Sequence, residues 1–247
     1  MNEIVGRIHS IETCGAVDGP GIRYVVFTQG CPLRCVYCHN PDTWATAGRN
    51  LTIMSVSELM ADIVKYKSYF KYSGGGVTLT GGEPLMQKEF GAALFAECKR
   101  ERLHTTLDTS GYDDIDGSTR KILSHTDLVL LDIKSINAGV FKRVTGFPID
   151  RTLEFARFLC ERNIDTWVGF ALVPGLTDSE EDLHGLASFL STLDNVKRVR
   201  VLPFHQMGAH KWRDLNMNYQ LKDTPVPSME ETERVRELFR GYGFHVR

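Results

Sequence analysis

The stretch "RYVVFTQGCPLRCVYCHNPDTW", residues 23–44, sets an apolar run directly ahead of three cysteines, Cys31, Cys35 and Cys38. Aromatic and β-branched residues from Tyr24 to Phe27 favour extended backbone. The three cysteines stand at i, i+4 and i+7, one face of a helix, so plain core packing is the bland alternative. Gly30 and Pro32 before them, and Asn40 and Pro41 after them, instead punctuate a compact loop. A loop at the C-terminal end of a strand is where parallel sheets and barrels gather their ligand sites.

Outward from this unit the pattern repeats. Further strands are expected at 75–82, 104–111, 127–134, 165–175 and 196–204, after the first at 23–30. Amphipathic helices are expected at 55–72, 88–102, 117–125, 150–163, 178–193 and 228–243. Three of them open with capping-box spacing: Ser55/Glu58, Asp178/Glu181 and Ser228/Glu231. Repeated strand–helix alternation implies parallel strands joined by crossover helices. Six such units are too few for a closed eight-fold barrel, so the expectation is α/β, a partial barrel or open sheet. With no linker, repeat or low-complexity tract, residues 1–247 read as one domain with a short N-terminal extension.

Composition narrows the function classes. The chain has 247 residues, 42% hydrophobic and 24% charged, with a net charge of −2, so no polyanion-binding surface is indicated. No signal-peptide shape opens it, and no apolar run approaches the roughly 18 residues of a membrane helix. Six cysteines are too few and too uneven for a disulfide scaffold. A cytoplasmic protein with reduced thiols is expected. Cys98 and Cys160 fall in amphipathic helices and read as small core residues, and packing is also expected for Cys14.

Three closely spaced thiolates can hold three irons of a cubane cluster, leaving the fourth iron open for substrate or cofactor. A structural zinc site with His39 as fourth ligand is the rival; adjacent Cys38 and His39 have difficulty both facing one tetrahedral metal. At the end of the second expected strand stands "TGGEP", 80–84. Its glycines allow close backbone approach, and its carbonyls with Glu83 can receive an ammonium group.

"CPLRCVYC" and "TGGEP" together resemble the signature of radical S-adenosylmethionine enzymes. With "VDGPGIRYVVFTQG", "LDTSG", "LDIK", "LVPGLTD" and "LPFHQMGAHKW", the resemblance spans nearly the whole chain. It narrows to the glycyl-radical-enzyme activases, most closely the branch acting on pyruvate formate-lyase. That resemblance implies a partial (β/α)6 barrel, in agreement with the six strands. It implies a [4Fe–4S] cluster that reductively cleaves S-adenosylmethionine to methionine and a 5′-deoxyadenosyl radical. The radical takes a hydrogen atom from a backbone glycine in the glycine loop of pyruvate formate-lyase. A low-potential electron donor such as flavodoxin is implied, and a monomer with neither nucleic acid nor membrane as partner.

Residue by residue, the resemblance assigns Cys31, Cys35 and Cys38 to the cluster. Tyr37 and His39, flanking Cys38, are contacts for the adenosine moiety, as is His205. Gly81, Gly82 and Glu83 hold the methionine end, and Asp132, Ile133 and Lys134 cross the rim of the fourth strand. Asp18 in the glycine-rich "VDGPG" lies near the substrate peptide, and this segment and "GAHKW" border the opening. Gly169 departs from the pattern, standing where an arginine is expected. Asp108 and Asp132 close consecutive strands, so like charges meet unless relieved. A potassium or sodium ion held by Asp108, Thr109, Asp132 and a carbonyl near Leu130 is the favoured relief, and an ion pair from Lys134 the alternative.

Two other function classes stay open. One is a different radical enzyme: the activase of another glycyl radical enzyme, such as anaerobic ribonucleotide reductase, or a small-molecule synthase. The ribonucleotide reductase activase is usually shorter, so a full six-unit chain argues against it, and activases with a ferredoxin-like insertion are disfavoured because no cysteine lies between Cys38 and Cys98. The other is a non-enzymatic iron–sulfur or zinc protein, which would not require the Gly-Gly-Glu motif.

Overall fold

The computed structural model describes residues 3–47 and 51–247. Strands β1 (Val5–Gly15), β2 (Arg23–Thr28) and β3 (Thr52–Ser55) precede helices α1 (Val56–Ile63) and α2 (Lys67–Ser73). There follow β4 (Gly76–Gly81), α3 (Lys88–Arg100), β5 (His104–Thr109), α4 (Gly117–Leu123), β6 (Leu128–Asp132), α5 (Ala138–Thr145) and α6 (Asp150–Glu161). The chain continues through β7 (Thr166–Leu172), α7 (Glu180–Leu190), β8 (Val196–Pro203), α8 (Ala209–Asp214) and α9 (Met229–Gly241).

The strands run in the order β3-β1-β2-β4-β5-β6-β7-β8, an open sheet with β3 and β8 at its edges. β2 pairs parallel with β4, β4 with β5, and β7 with β8. This is the open α/β sheet expected of a partial barrel. The chain divides into two compact units, Met1–Pro32 with Thr43–Leu130, and Leu33–Asp42 with Leu131–Arg247.

In the first unit, Tyr24, Val25 and Val26 of β2 are wholly buried, the continuous apolar run of a strand covered on both faces. Phe90, Leu94 and Phe95 bury one face of α3. Arg23 is also fully buried: Nε donates to Thr78 Oγ1 at 2.9 Å and Nη2 to Thr106 Oγ1 at 2.8 Å. These bonds offset the desolvation of the charge, although burial still pulls the guanidinium down to about 10. In the second unit Phe141, Phe155, Leu159, Phe170 and Phe239 form the apolar interior.

All six expected strands are present. β1 and β3 are additions, pairing antiparallel with each other, and β1 antiparallel with β2. Register shifts between Ile8 and Ser10 and between Glu12 and Gly15 interrupt the alternation in β1 that would otherwise mark a strand. On β1 Cys14 points outward and is exposed, whereas Gly15 is buried, so the expected packing of Cys14 does not occur. Cys98 is buried as expected, while Cys160 is only partly so.

Two capping boxes form as their spacing predicts, Ser55 with Glu58 and Ser228 with Glu231. The third box does not form; one residue along, Ser179 caps α7 on one side only, accepting from the Asp182 amide. The helix expected at 55–72 is interrupted by a 3-10 turn at Val64–Tyr66. α5 went unforeseen although both its punctuation marks are in the sequence. Asn137 Oδ1 caps it by accepting from Gly139 and Val140, and Gly146 ends it at a φ of 84°.

Candidate active site

In the first unit, the Gly-Gly-Glu segment is fastened to the chain that leads into Cys31. The Gly82 amide donates to Thr28 O at 2.9 Å and the Glu83 amide to Gly30 O at 2.7 Å. A Cβ on Gly82 would stand 2.2 Å from Gly30 O; on Gly81, whose φ is +116°, it would meet Thr28 N at 2.2 Å. The glycines therefore answer first to an approach between backbones. Gly30 N donates to Thr43 O and Cys31 N to Trp44 O, which fixes the backbone at the first thiol.

Glu83 is buried, and its carboxylate is satisfied by the protein. Oε1 accepts from Thr109 Oγ1 at 2.6 Å and Leu85 N at 3.1 Å; Oε2 accepts from Ser110 Oγ at 2.6 Å and Ser110 N at 2.9 Å. Burial pushes its pKa up, with the hydroxyl and amide donors opposing. With two donors on each oxygen, Glu83 ties the end of β4 to the turn after β5. Thr109 is engaged twice, since its Oγ1 also accepts from Gly111 N. Asp108 Oδ2 accepts from Thr80 Oγ1 at 2.8 Å, and Leu130 is fully buried on β6. The Asp18 carbonyl accepts from Thr78 Oγ1 at 2.7 Å, so the glycine-rich loop is held by its backbone.

The second unit holds the other two thiols. Arg34 N donates to Thr145 O and Val36 N to Val144 O, docking the cysteine loop on the end of α5, and Cys38 N closes a turn on Cys35 O. α8 then braces the loop from the other end of the sequence. Trp212 Nε1 donates to Cys38 O at 2.9 Å, and Lys211 Nζ reaches Asn40 Oδ1 at 2.9 Å and Asp42 Oδ2 at 3.1 Å. A Cβ on Gly208 would meet His39 Cδ2 at 2.6 Å, so the turn into α8 needs a glycine to lie against His39. The His39 and His205 rings meet edge to face at 4.7 Å, bringing together two expected site residues. Burial and the neighbouring His205 hold the His39 imidazole below its ordinary range.

At the end of β6, Lys134 Nζ lies 2.6 Å from Asp132 Oδ2, and Ile133, fully buried, donates its amide to Gly169 O. Burial raises the Asp132 carboxyl, but the charges of Lys134 and Arg200 outweigh it and leave the group below the usual range. Burial alone would lower the Lys134 ammonium; Asp132 holds it well above its ordinary value. The Cys35 thiol is pushed up to about 12 by burial, against the pull of Lys134. The Tyr37 hydroxyl is buried and has no hydrogen-bond partner.

Lys211, Trp212 and Arg200 were not singled out from sequence. The first two lie in the quoted "GAHKW", but nothing local says that this helix braces a loop far earlier in the chain, 171 residues away for Lys211–Asn40 and 174 for Trp212–Cys38.

Residues 25–187 match the Radical SAM superfamily. The pyruvate formate-lyase 1-activating enzyme of Escherichia coli (strain K12) is 42% identical over 245 residues, 98% of each chain. The pyruvate formate-lyase-activating enzyme of Staphylococcus aureus (strain USA300) is 46% identical over 244 residues, 97% of this chain and 96% of that one. The chain belongs to the radical SAM superfamily. Among solved structures, a domain of pyruvate-formate lyase-activating enzyme from Bacteroides vulgatus ATCC 8482 has a TM-score of 0.59 at 22% identity, over 70% of this chain and 98% of that one. Streptococcus suis SuiB bound to S-adenosylmethionine has a TM-score of 0.65 at 17% identity, over 89% of this chain and 48% of that one. Radical SAM enzymes use a [4Fe–4S] cluster and S-adenosylmethionine, and this chain's donors suit both. None of the six cysteines is in a disulfide, and the Tyr37 hydroxyl, between Cys35 and Cys38 in sequence, is buried without a hydrogen-bond partner in the protein.

Proposed function

We propose that this protein activates pyruvate formate-lyase by generating a glycyl radical in its glycine loop. The braced loop of Cys35 and Cys38 with its unsatisfied Tyr37 hydroxyl carries the reading, supported by the full-length relatives. A [4Fe–4S] cluster with S-adenosylmethionine supplies one-electron cleavage to methionine and a 5′-deoxyadenosyl radical, chemistry that no side chain offers. Cys31, Cys35 and Cys38 anchor three irons. Tyr37, His39 and His205 line the adenosine; carbonyls of Gly81 and Gly82 receive the ammonium, with Glu83 locking their geometry. Ile133 aligns the end of β6, so that Asp132 and Lys134 face the methionine end. Asp18 contacts the partner's glycine loop. The electron comes from a low-potential donor of flavodoxin type. The protein works in the cytoplasm as a single-domain monomer; no helix among the described residues is long and apolar enough to cross a membrane.

Anaerobic reconstitution with iron and sulfide tests this reading. The protein should turn brown, bleach in air, form 5′-deoxyadenosine when reduced with S-adenosylmethionine, and raise a glycyl radical signal in pyruvate formate-lyase. Alanine at Cys31, Cys35 or Cys38 should abolish the first product. A colourless protein with one tightly held zinc would sink the proposal. Asp108, with Thr109 and the Leu130 carbonyl, is our proposed contact for a potassium or sodium ion. Cofactor affinity should rise when potassium replaces a bulky organic cation at constant ionic strength, and Asp108→Ala should remove the difference.

A further inference from the structure

Gln87 ends the 3-10 turn Pro84–Gln87 that follows the Gly-Gly-Glu motif, and its side chain is buried. Both its N–H donors and its carbonyl are engaged with backbone. Oε1 accepts from Arg7 N at 2.8 Å, and Nε2 donates to Arg7 O at 2.9 Å and to Gln29 O at 3.1 Å. Two donors on one atom beside an acceptor on the next is a set that, among neutral side chains, only the shorter asparagine shares.

The pairing of β1 with β2 reaches Ile8 opposite Thr28, where β2 ends. One residue further along the sheet, the Gln87 amide takes both the N–H and the C=O of Arg7, as a strand partner would. The same amide grips Gln29, the residue that leads into Gly30 and Cys31. That grip falls where the strand ladder has stopped, and Gly30 turns away with a φ of 105°. The Glu83 amide holds the Gly30 carbonyl and the Gln87 side chain holds the Gln29 carbonyl. Two consecutive carbonyls ahead of Cys31 are thus fastened to one short segment, the one that continues the Gly-Gly-Glu motif.

We infer that Gln87 is a positioning residue for the first cluster thiolate, acting through the Gln29 carbonyl to fix Cys31 against the Gly-Gly-Glu turn. The inference rests on the proposed function for the cluster, and on these hydrogen bonds for the residue. Gln87 acts without donating to any ligand, since both its N–H groups are spent on backbone.

Anaerobically reconstituted holoenzyme tests it, through the rate at which a chelator strips the iron and the EPR spectrum of the reduced cluster. Gln87→Met keeps the length of the side chain without the amide. It should lose iron about ten-fold faster than wild type, the worth of about one hydrogen bond. Its reduced cluster should show more than one set of g values where wild type shows one. Ser55→Ala, which loses the cap of α1, is the control for a loss of stability elsewhere and should match wild type in both. Gln87→Glu, ionised in alkaline buffer, keeps the shape and the acceptor for Arg7 N but gives Gln29 O no donor. It should repeat the Gln87→Met result, and it stands in should that variant not fold. Wild-type iron release and spectrum in the Gln87 variants, or changes that Ser55→Ala reproduces, overturn the inference and leave the proposed function standing. Wild-type protein that takes up no cluster overturns both.

Discussion

At the scale of single residues, the cysteine loop depends on positions outside it. Trp212 is buried, and its indole N–H holds the Cys38 carbonyl. Trp212→Phe keeps most of the apolar contact and removes that donor, for about 1 kcal/mol of stability. The expected signature is local: the variant melts near wild type but loses iron faster in air, measured by bleaching of the visible absorbance. Unaltered bleaching would show that the loop does not depend on this brace. Gly82 meets a harder limit, because the atom in its way is a backbone oxygen, Gly30 O. Gly82→Ala should destabilise by about 1–3 kcal/mol, as overpacking does, and should displace the backbone just before Cys31. Chemical denaturation and iron content after reconstitution check both halves of that expectation.

At the scale of elements, β5 begins with a histidine placed against a buried cation. Arg23 Nη1 lies 3.2 Å from His104 Nδ1, and a guanidinium only donates, so that ring nitrogen is unprotonated. Burial and the Arg23 charge bring the His104 imidazole down to about 4, with Asp127 opposing and Lys99 assisting. The unfolded chain takes up a proton on this ring near pH 6.5 and the folded chain does not. Stability is therefore full above that pH and falls as pH is lowered towards 4. His104→Gln should flatten this part of the stability–pH curve, read from thermal melts between pH 7 and 5; parallel curves for variant and wild type would refute the assignment. The helix caps offer a second measurement on elements. Ser228→Ala removes the capping box of α9 and should cost about 1 kcal/mol.

At the scale of the whole molecule, the proposed activity requires a folded protein to accept a peptide loop, because the reacting atom belongs to the partner's backbone. The glycine-rich segment around Asp18 is held by its main chain, through Thr78 and the buried Arg23. Peptides spanning the partner's glycine should compete with full-length pyruvate formate-lyase for activation, and Asp18→Ala should weaken them. Normal activation with undiminished peptide affinity would remove Asp18 from the contact surface.

Features written within a few residues of one another were legible without coordinates. The cysteine loop, the Gly-Gly-Glu turn, the six parallel strands and two of the three capping boxes each follow from local spacing, because breakers, caps and apolar runs act on neighbouring backbone. β1 escaped because its register shifts spoil the alternation that marks a strand. The partners of the site residues escaped for a different reason. That Glu83 spends both oxygens on Thr109 and Ser110, that Trp212 holds Cys38, and that Arg200 fills the space over Gly169 depend on pairings between elements apart in the chain. A shift of one residue in the β7–β8 register would turn Arg200 to the other face of the sheet, and no local pattern in the sequence fixes that register.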